Sequence, residues 1–374
     1  MKKISALLLS LILVVVLATG CGKSSETNSD ANSTAEPTTE ATTDNTATAE
    51  ESTEDAATTE GTAAGNAVKT GLAVINNISS STSATADADG VNETDSTVVA
   101  VLVGQDGKIV DCKIDVAQSK INFSNEGKIT TPADTVFKSK QELGDDYGMK
   151  TKSGIGKEWY EQANAFADYV IGKTVDEVKG IAVSEEGTAA DADLASSVTI
   201  HIGDFISAVE KAVNNAQDLG ATDADKLGLG INTTMDSSDA SADQDGLAQV
   251  SSYYVVTTTD ASGKITSCII DASQCGVNFD TTGQITSDIT TAPQTKNELK
   301  ENYGMKAKSG IGKEWYEQAD AFAKYVVGKT VDEVKGIAVS EEGTPADADL
   351  ASSVTIHIGD FISTIEKAVA NSAN

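Results

Sequence analysis

The sequence predicts an α+β protein made of two tandem copies of one module behind a polar leader. Three observations carry this. The octapeptide Asp193 to Ile200 recurs letter for letter as Asp349 to Ile356, 156 residues further on (355 − 199). Within each copy, strand-like runs come first and helical periodicities follow, the order expected of an antiparallel sheet covered on one side by helices. Residues 23–66 are almost wholly Ser, Thr, Ala, Asn, Glu and Asp, and the strand and helix patterning begins after them.

Residues 1–21 read as an export signal. Lys2 and Lys3 form a charged start, Leu7 to Leu17 an apolar core, and Leu17-Ala18-Thr19-Gly20-Cys21 the end. Small residues directly before a Cys match a bacterial lipobox, so Cys21 is the expected lipidation site; the alternative is an ordinary cleaved signal. The apolar run is short for a membrane span. Residues 22–66 lack aromatics and cannot bury enough apolar area to offset their ordering entropy, so they are expected to be a disordered tether. As a coil it would reach roughly 35–40 Å.

The modules are placed at 67–216 and 227–374, joined by a polar linker at 217–226. Each opens with strands. In the first, Val98 to Val103 is an apolar run, Gln105-Asp106-Gly107 a turn, and Lys108 to Val116 a near alternation. Lys120 to Phe123 and Lys128 to Thr130 then suggest a second hairpin. The second copy repeats the pattern at Tyr253 to Thr259 and Lys264 to Ile270. Helices follow: Ile155, Trp159, Ala163, Phe166, Ala167 and Val170 share one stripe that Gly172 stops, and Thr174 caps a short helix. A final helix turns Phe205, Val209 and Val213 inward. Residues 153–207 and 309–363 differ at only four positions, Asn164/Asp320, Asp168/Lys324, Ile171/Val327 and Ala189/Pro345.

A formal net charge of −30 excludes the basic stripe that nucleic acid demands. Cys112 and Cys268 correspond between copies and read as core residues, whereas Cys275 has Ser119 as its counterpart. The spacing leaves a Cys268–Cys275 bridge open without implying a disulfide framework. There is no nucleophile–base motif, no Walker loop and no metal-ligand spacing, so no catalytic residue and no metal are assigned. Ser153-Gly154-Ile155-Gly156-Lys157 reads as a turn into a helix rather than a phosphate loop.

The repeated Asp193-x-x-Ser196-x-x-Thr199 and Asp349-x-x-Ser352-x-x-Thr355 stand directly before the final helix, where backbone N–H groups and the helix dipole favour a phosphate. This stretch, with the Asp106-Gly107-Lys108-Ile109 hairpin upstream and an apolar helix downstream, resembles the FMN-binding domain family. That family includes the C subunit of sodium-pumping NADH:quinone reductase and lipoproteins of extracellular electron transfer. The family pattern has Gly and Ala where Ser197 and Val198 stand here.

The resemblance implies one FMN per module, linked as a phosphoester to Thr199 and Thr355 by a flavin transferase. Asp193 and Asp349 would then assist the transfer, with Ser196 and Ser352 beside them. Tyr160 and Tyr316 are the candidates to cover the ring, since Trp159 and Trp315 read as core anchors. His201 and His357 either contact the cofactor or are ordinary surface histidines. The implied function is that of an extracytoplasmic, lipid-anchored electron carrier rather than an enzyme, fed by a membrane-bound NADH or quinol reductase. Three alternatives remain: Ile200-His201-Ile202 also fits a strand, with Thr199 an ordinary sheet residue; the chain also fits a non-redox binding or surface-display lipoprotein; and, ranked last because no catalytic constellation is visible, it fits an enzyme such as a hydrolase or a flavin-dependent reductase.

Overall fold

The computed structural model describes residues 65–372, so the signal peptide, Cys21 and nearly all of the tether expected above lie outside the described residues. The architecture is α+β and duplicated. In the first copy β1 (Lys69–Asn77), β2 (Gly90–Val103) and β3 (Ile109–Phe123) form an antiparallel sheet in the order β1-β2-β3. In the second, β4 (Lys226–Met235), β5 (Gly246–Thr259) and β6 (Ile265–Phe279) do the same. The helices of the first copy are α1 (Lys140–Leu143), α2 (Trp159–Val170), α3 (Val175–Lys179), α4 (Ala192–Ala195) and α5 (Gly203–Asn214). Those of the second are α6 (Lys296–Leu299), α7 (Trp315–Val326), α8 (Val331–Lys335), α9 (Ala348–Ala351) and α10 (Gly359–Asn371). None of them is long and apolar enough to cross a membrane.

The helices form where the sequence placed them. Trp159, Ala163, Phe166, Ala167 and Val170 are all buried on α2. The stripe breaks off below Trp159, because Ile155 lies in the preceding turn. A reciprocal Thr174–Glu177 capping box starts α3. On α5, Phe205, Ala208, Val209 and Ala212 face inward, while Val213 is only half-buried. This helix lies so close to β1 that a Cβ on Gly71 would sit 2.1 Å from the Ala212 carbonyl oxygen, and in the second copy a Cβ on Gly228 would sit 2.0 Å from Ala368 O.

The strands differ from expectation. β2 begins at Gly90, eight residues before the apolar run, and β3 continues unbroken through residues expected to form two strands. The second hairpin forms where expected: the end of β3 turns back at Asn125-Glu126-Gly127 and Phe123 bridges to Ile129, with the Thr130 N–H donating to Asn122 O at 2.9 Å and the Ser124 N–H to Lys128 O at 2.7 Å. β1 and β4 were not anticipated. The reason is that each sheet is covered on both faces. One face packs on its own helices, around Val99, Val101, Trp159, Phe166 and Phe205 in the first copy. The other face packs on the sheet of the other copy, through Leu72, Val98, Ala100, Leu229, Tyr254 and Val256. Polar residues at the inner end of β2 are therefore buried against the partner sheet: the Asn92 amide donates to Ala248 O at 2.9 Å and Cys275 O at 3.1 Å.

The two copies are thus one compact unit with an internal twofold relation. Phe123 and its counterpart Phe279 stack on each other, centroids 4.3 Å apart. Lys211 pairs with Glu298 and Lys367 with Glu142, both at 2.6 Å, each bond reaching from one copy to the other. The Ala240 amide donates to Gly127 O and the Ala84 amide to Gly283 O, both at 2.8 Å. The 217–226 stretch lies along β1, taking N–H bonds from Thr70 and Val68 and burying Ala221.

Cys112, Cys268 and Cys275 are free and buried, which corrects the open Cys268–Cys275 pairing. Both lie on β6 seven residues apart, roughly 23 Å along an extended strand. A disulfide needs Cα atoms within about 7 Å.

Candidate functional site

Thr199 lies in the turn between α4 and α5, not in a strand, and is exposed. Its backbone N–H donates to Gln162 Oε1 at 2.8 Å and its hydroxyl to the same oxygen at 3.0 Å. The second copy reproduces this, with Thr355 N and Oγ1 at 2.8 and 3.1 Å from Gln318 Oε1. Gln162 is fully buried on α2. Its amide nitrogen donates to Ser153 Oγ at 3.3 Å and Lys157 O at 3.2 Å, so the glutamine ties the Thr199 turn to the loop before α2.

That loop is itself pinned by Glu158, a buried carboxylate accepting the Met149 and Lys150 amides at 2.7 and 3.0 Å. Buried acceptors of this kind are costly to leave unmade, and here each is satisfied. Ser197 adopts no positive φ, so the turn does not require the glycine of the family pattern. Val198 is buried in the module core and adds no bulk to the surface at Thr199.

Thr199 opens on a cleft of about 850 Å³ whose wall includes Trp159, Tyr147, Met149, Lys140, Lys152 and His201. The Lys140 ammonium sits 5.0 Å from the Tyr147 ring centre and 5.4 Å from that of Trp159, a cation held over two aromatic faces. Asp95 also lines the cleft, and burial raises its carboxyl above the usual range while nearby Lys140 pulls it back. Thr355 opens on a smaller cleft of about 550 Å³, with Tyr303, Met305, Lys308 and Ser309 in its wall.

The structure does not gather all the residues singled out from the sequence. His201 lines the first cleft, whereas His357 is outside the wall of the second. Asp193 and Asp349 are exposed on α4 and α9, and each offers its backbone oxygen to Ser196 or Ser352, at 2.7 and 2.6 Å. Tyr160 turns away from the cleft and donates to Asp145 at 3.3 Å, and Tyr316 donates to Glu301 at 3.0 Å. The aromatic wall beside Thr199 is instead Trp159 with Tyr147.

Gln162, Lys140 and Tyr147 went unnoticed in the sequence. Gln162 had one visible signal, a polar residue three positions after Trp159 on an otherwise apolar stripe. Among the described residues, no group of three or more His, Cys, Asp or Glu is placed to hold a metal.

Comparison with known proteins finds a chlorophenol reductase of Desulfitobacterium hafniense, 34% identical over 120 residues, covering 29% of this chain and 36% of that protein. The chain therefore matches about a third of that relative's length. No family model matches, and no solved structure does.

Proposed function

We propose that the chain is a redox protein, an electron carrier holding one FMN in phosphoester linkage on each of Thr199 and Thr355. The likeness to a reductase supports a redox role. One observation supports the flavin sites: each motif threonine stands exposed in a turn, its hydroxyl proton directed onto a buried glutamine. A hydroxyl that donates to Gln162 keeps its lone pairs for an incoming phosphorus.

The donor set beside it suits the group. About 850 Å³ falls in the range of small-ligand sites. Trp159 and Tyr147 supply aromatic wall, and Lys140 and Lys152 supply positive charge for a phosphate or an electron-rich ring edge. Bound there, the flavin would supply the electron-transfer chemistry, and the protein attachment, orientation and local field. Attachment moves the FMN phosphoryl of FAD to the Thr oxygen with AMP leaving, and the hydroxyl proton passes to a base of the transferase. Lipidation at Cys21, an extracytoplasmic location and a membrane-bound reductase as donor complete the proposal.

The test is the intact mass of the chain produced with a flavin transferase, compared with Thr199→Ala, Thr355→Ala and the double variant. Two FMN additions, each less one water, should fall to one and then to none. An unmodified mass in a host that flavinylates other proteins overturns the reading and leaves a binding or surface-display protein.

A further inference from the structure

The two clefts share part of their wall, and the larger, at about 850 Å³ against about 550 Å³, takes in more residues. Tyr147, Met149, Lys152 and Ser153 have counterparts in the second cleft, but Lys140, Trp159 and Asp204 do not: Lys296, Trp315 and Asp360 are absent from its wall. The residue at the dividing line is Thr97 in the first copy and Tyr253 in the second. Tyr253 packs on the second module's core, its ring 5.8 Å from that of Phe361 at 70°. Burial, with Asp360 close to its hydroxyl, pushes Tyr253 up to about 12.

The strand partner changes with it. Thr97 pairs with Val116 across β2 and β3, and Tyr253 pairs with Ala272 across β5 and β6. A small residue has become large while its neighbour has become small, so the ring is accommodated rather than squeezed in. In the same module Lys296, held over Tyr303 and Trp315 at 4.8 and 5.0 Å, is buried at 8% exposure, while Lys140 keeps a half-buried position in the first cleft.

Building on the flavin reading above, we propose that the Tyr253–Ala272 pair closes the inner half of the second cleft, so that only the first admits a planar aromatic ligand down to its tryptophan. Tyr253 is then the residue that makes the two repeats unequal in ligand selection. Thr355 retains its attachment chemistry, but a ring tethered there stays at the outer wall formed by Tyr303 and Met305.

The test uses the mature chain made without a flavin transferase, with riboflavin as the probe because it lacks the phosphate and so reports the cleft alone. The chain holds only two tryptophans, one per module. Trp315→Phe leaves Trp159 as reporter, and Trp159→Phe leaves Trp315. Riboflavin should quench Trp159 at concentrations at least about tenfold lower than Trp315. Replacing Tyr253 and Ala272 by Thr and Val, the first module's own pair, should bring Trp315 level with Trp159.

Acetylation of the parent chain gives a reading that needs no ligand: Lys140 should label well ahead of Lys296, and the paired replacement should release Lys296. Equal quenching in the parent, no quenching at either tryptophan, or equal labelling of the two lysines overturns the proposal. Failure of the covalent reading appears separately, as an unmodified mass, and leaves the riboflavin asymmetry in place.

Discussion

Asp115 and its counterpart Asp271 are buried carboxyls on the third strand of each sheet, and removing their charge should stabilise the protein in a pH-dependent way. Each Oδ1 accepts two backbone amides, Val116 at 2.7 Å and Gln141 at 3.0 Å for Asp115, and Ala272 and Asn297 at the same distances for Asp271. Burial nevertheless dominates and raises both from 3.8 to about 7. The folded state therefore holds a proton that the unfolded chain has released between about pH 4 and pH 7. Stability is lost as pH rises through that window, and below it the penalty vanishes. Some 3 units at about 1.4 kcal/mol each set a ceiling of about 4 kcal/mol per site.

Asp115→Asn keeps the Oδ1 acceptor and imitates the protonated form. At about pH 8 the variant should be more stable than the parent by about 2–4 kcal/mol, and at about pH 4 the two should agree within about 1 kcal/mol. Urea unfolding followed by circular dichroism at both pH values measures this. Equal effects at the two pH values, or a destabilised variant at the higher one, would refute the argument. The consequence reaches the cleft, because Asp115 fixes the start of α1, which carries Lys140.

Other outcomes follow from single contacts. Gln162→Leu strips Thr199 of the acceptor for its N–H and O–H and should cost about 2–3 kcal/mol in urea unfolding, with lower flavin loading at Thr199 alone. Phe123→Ala removes half of the stack between the two sheets and should cost about 3–5 kcal/mol, broadening the melt as the halves uncouple. Lys300 holds φ 48° where the first module has Gly144 at 51°, so Lys300→Gly should raise stability by about 1 kcal/mol. The Lys211–Glu298 and Lys367–Glu142 pairs are about a third exposed, and a double-mutant cycle on either should return no more than about 1 kcal/mol, less in high salt.

The helices were legible because each shows one apolar face to its own module. Trp159 to Val170 carries that stripe openly, and Thr174 with Glu177 writes its own cap. The inner half of β2 was not legible. Asn92, Thr94 and Ser96 alternate correctly for a strand, but they are polar on the buried side, since the surface they meet belongs to the other copy. The threonine turn was placed by its short polar stretch before an apolar helix, whereas the cleft around it was not. Lys140 and Tyr147 come from a short helix and a 3₁₀ turn with no periodicity to read. Tyr160 lies off the α2 stripe, and that position faces Asp145 rather than Thr199.

The internal twofold also bears on how such a chain can diverge. When two separate identical chains meet across a twofold axis, every substitution is made twice and each surface patch must remain complementary to itself. Joining both halves in one polypeptide lifts that constraint. Asn92 can then reach the main chain of a partner half that carries Ala248 at its own equivalent position, and Cys275 can replace Ser119 on one side only. Only the residues on the axis, such as Phe123 against Phe279, still meet their own likeness. Within one polypeptide the symmetry is therefore no longer obligatory at any pair of positions.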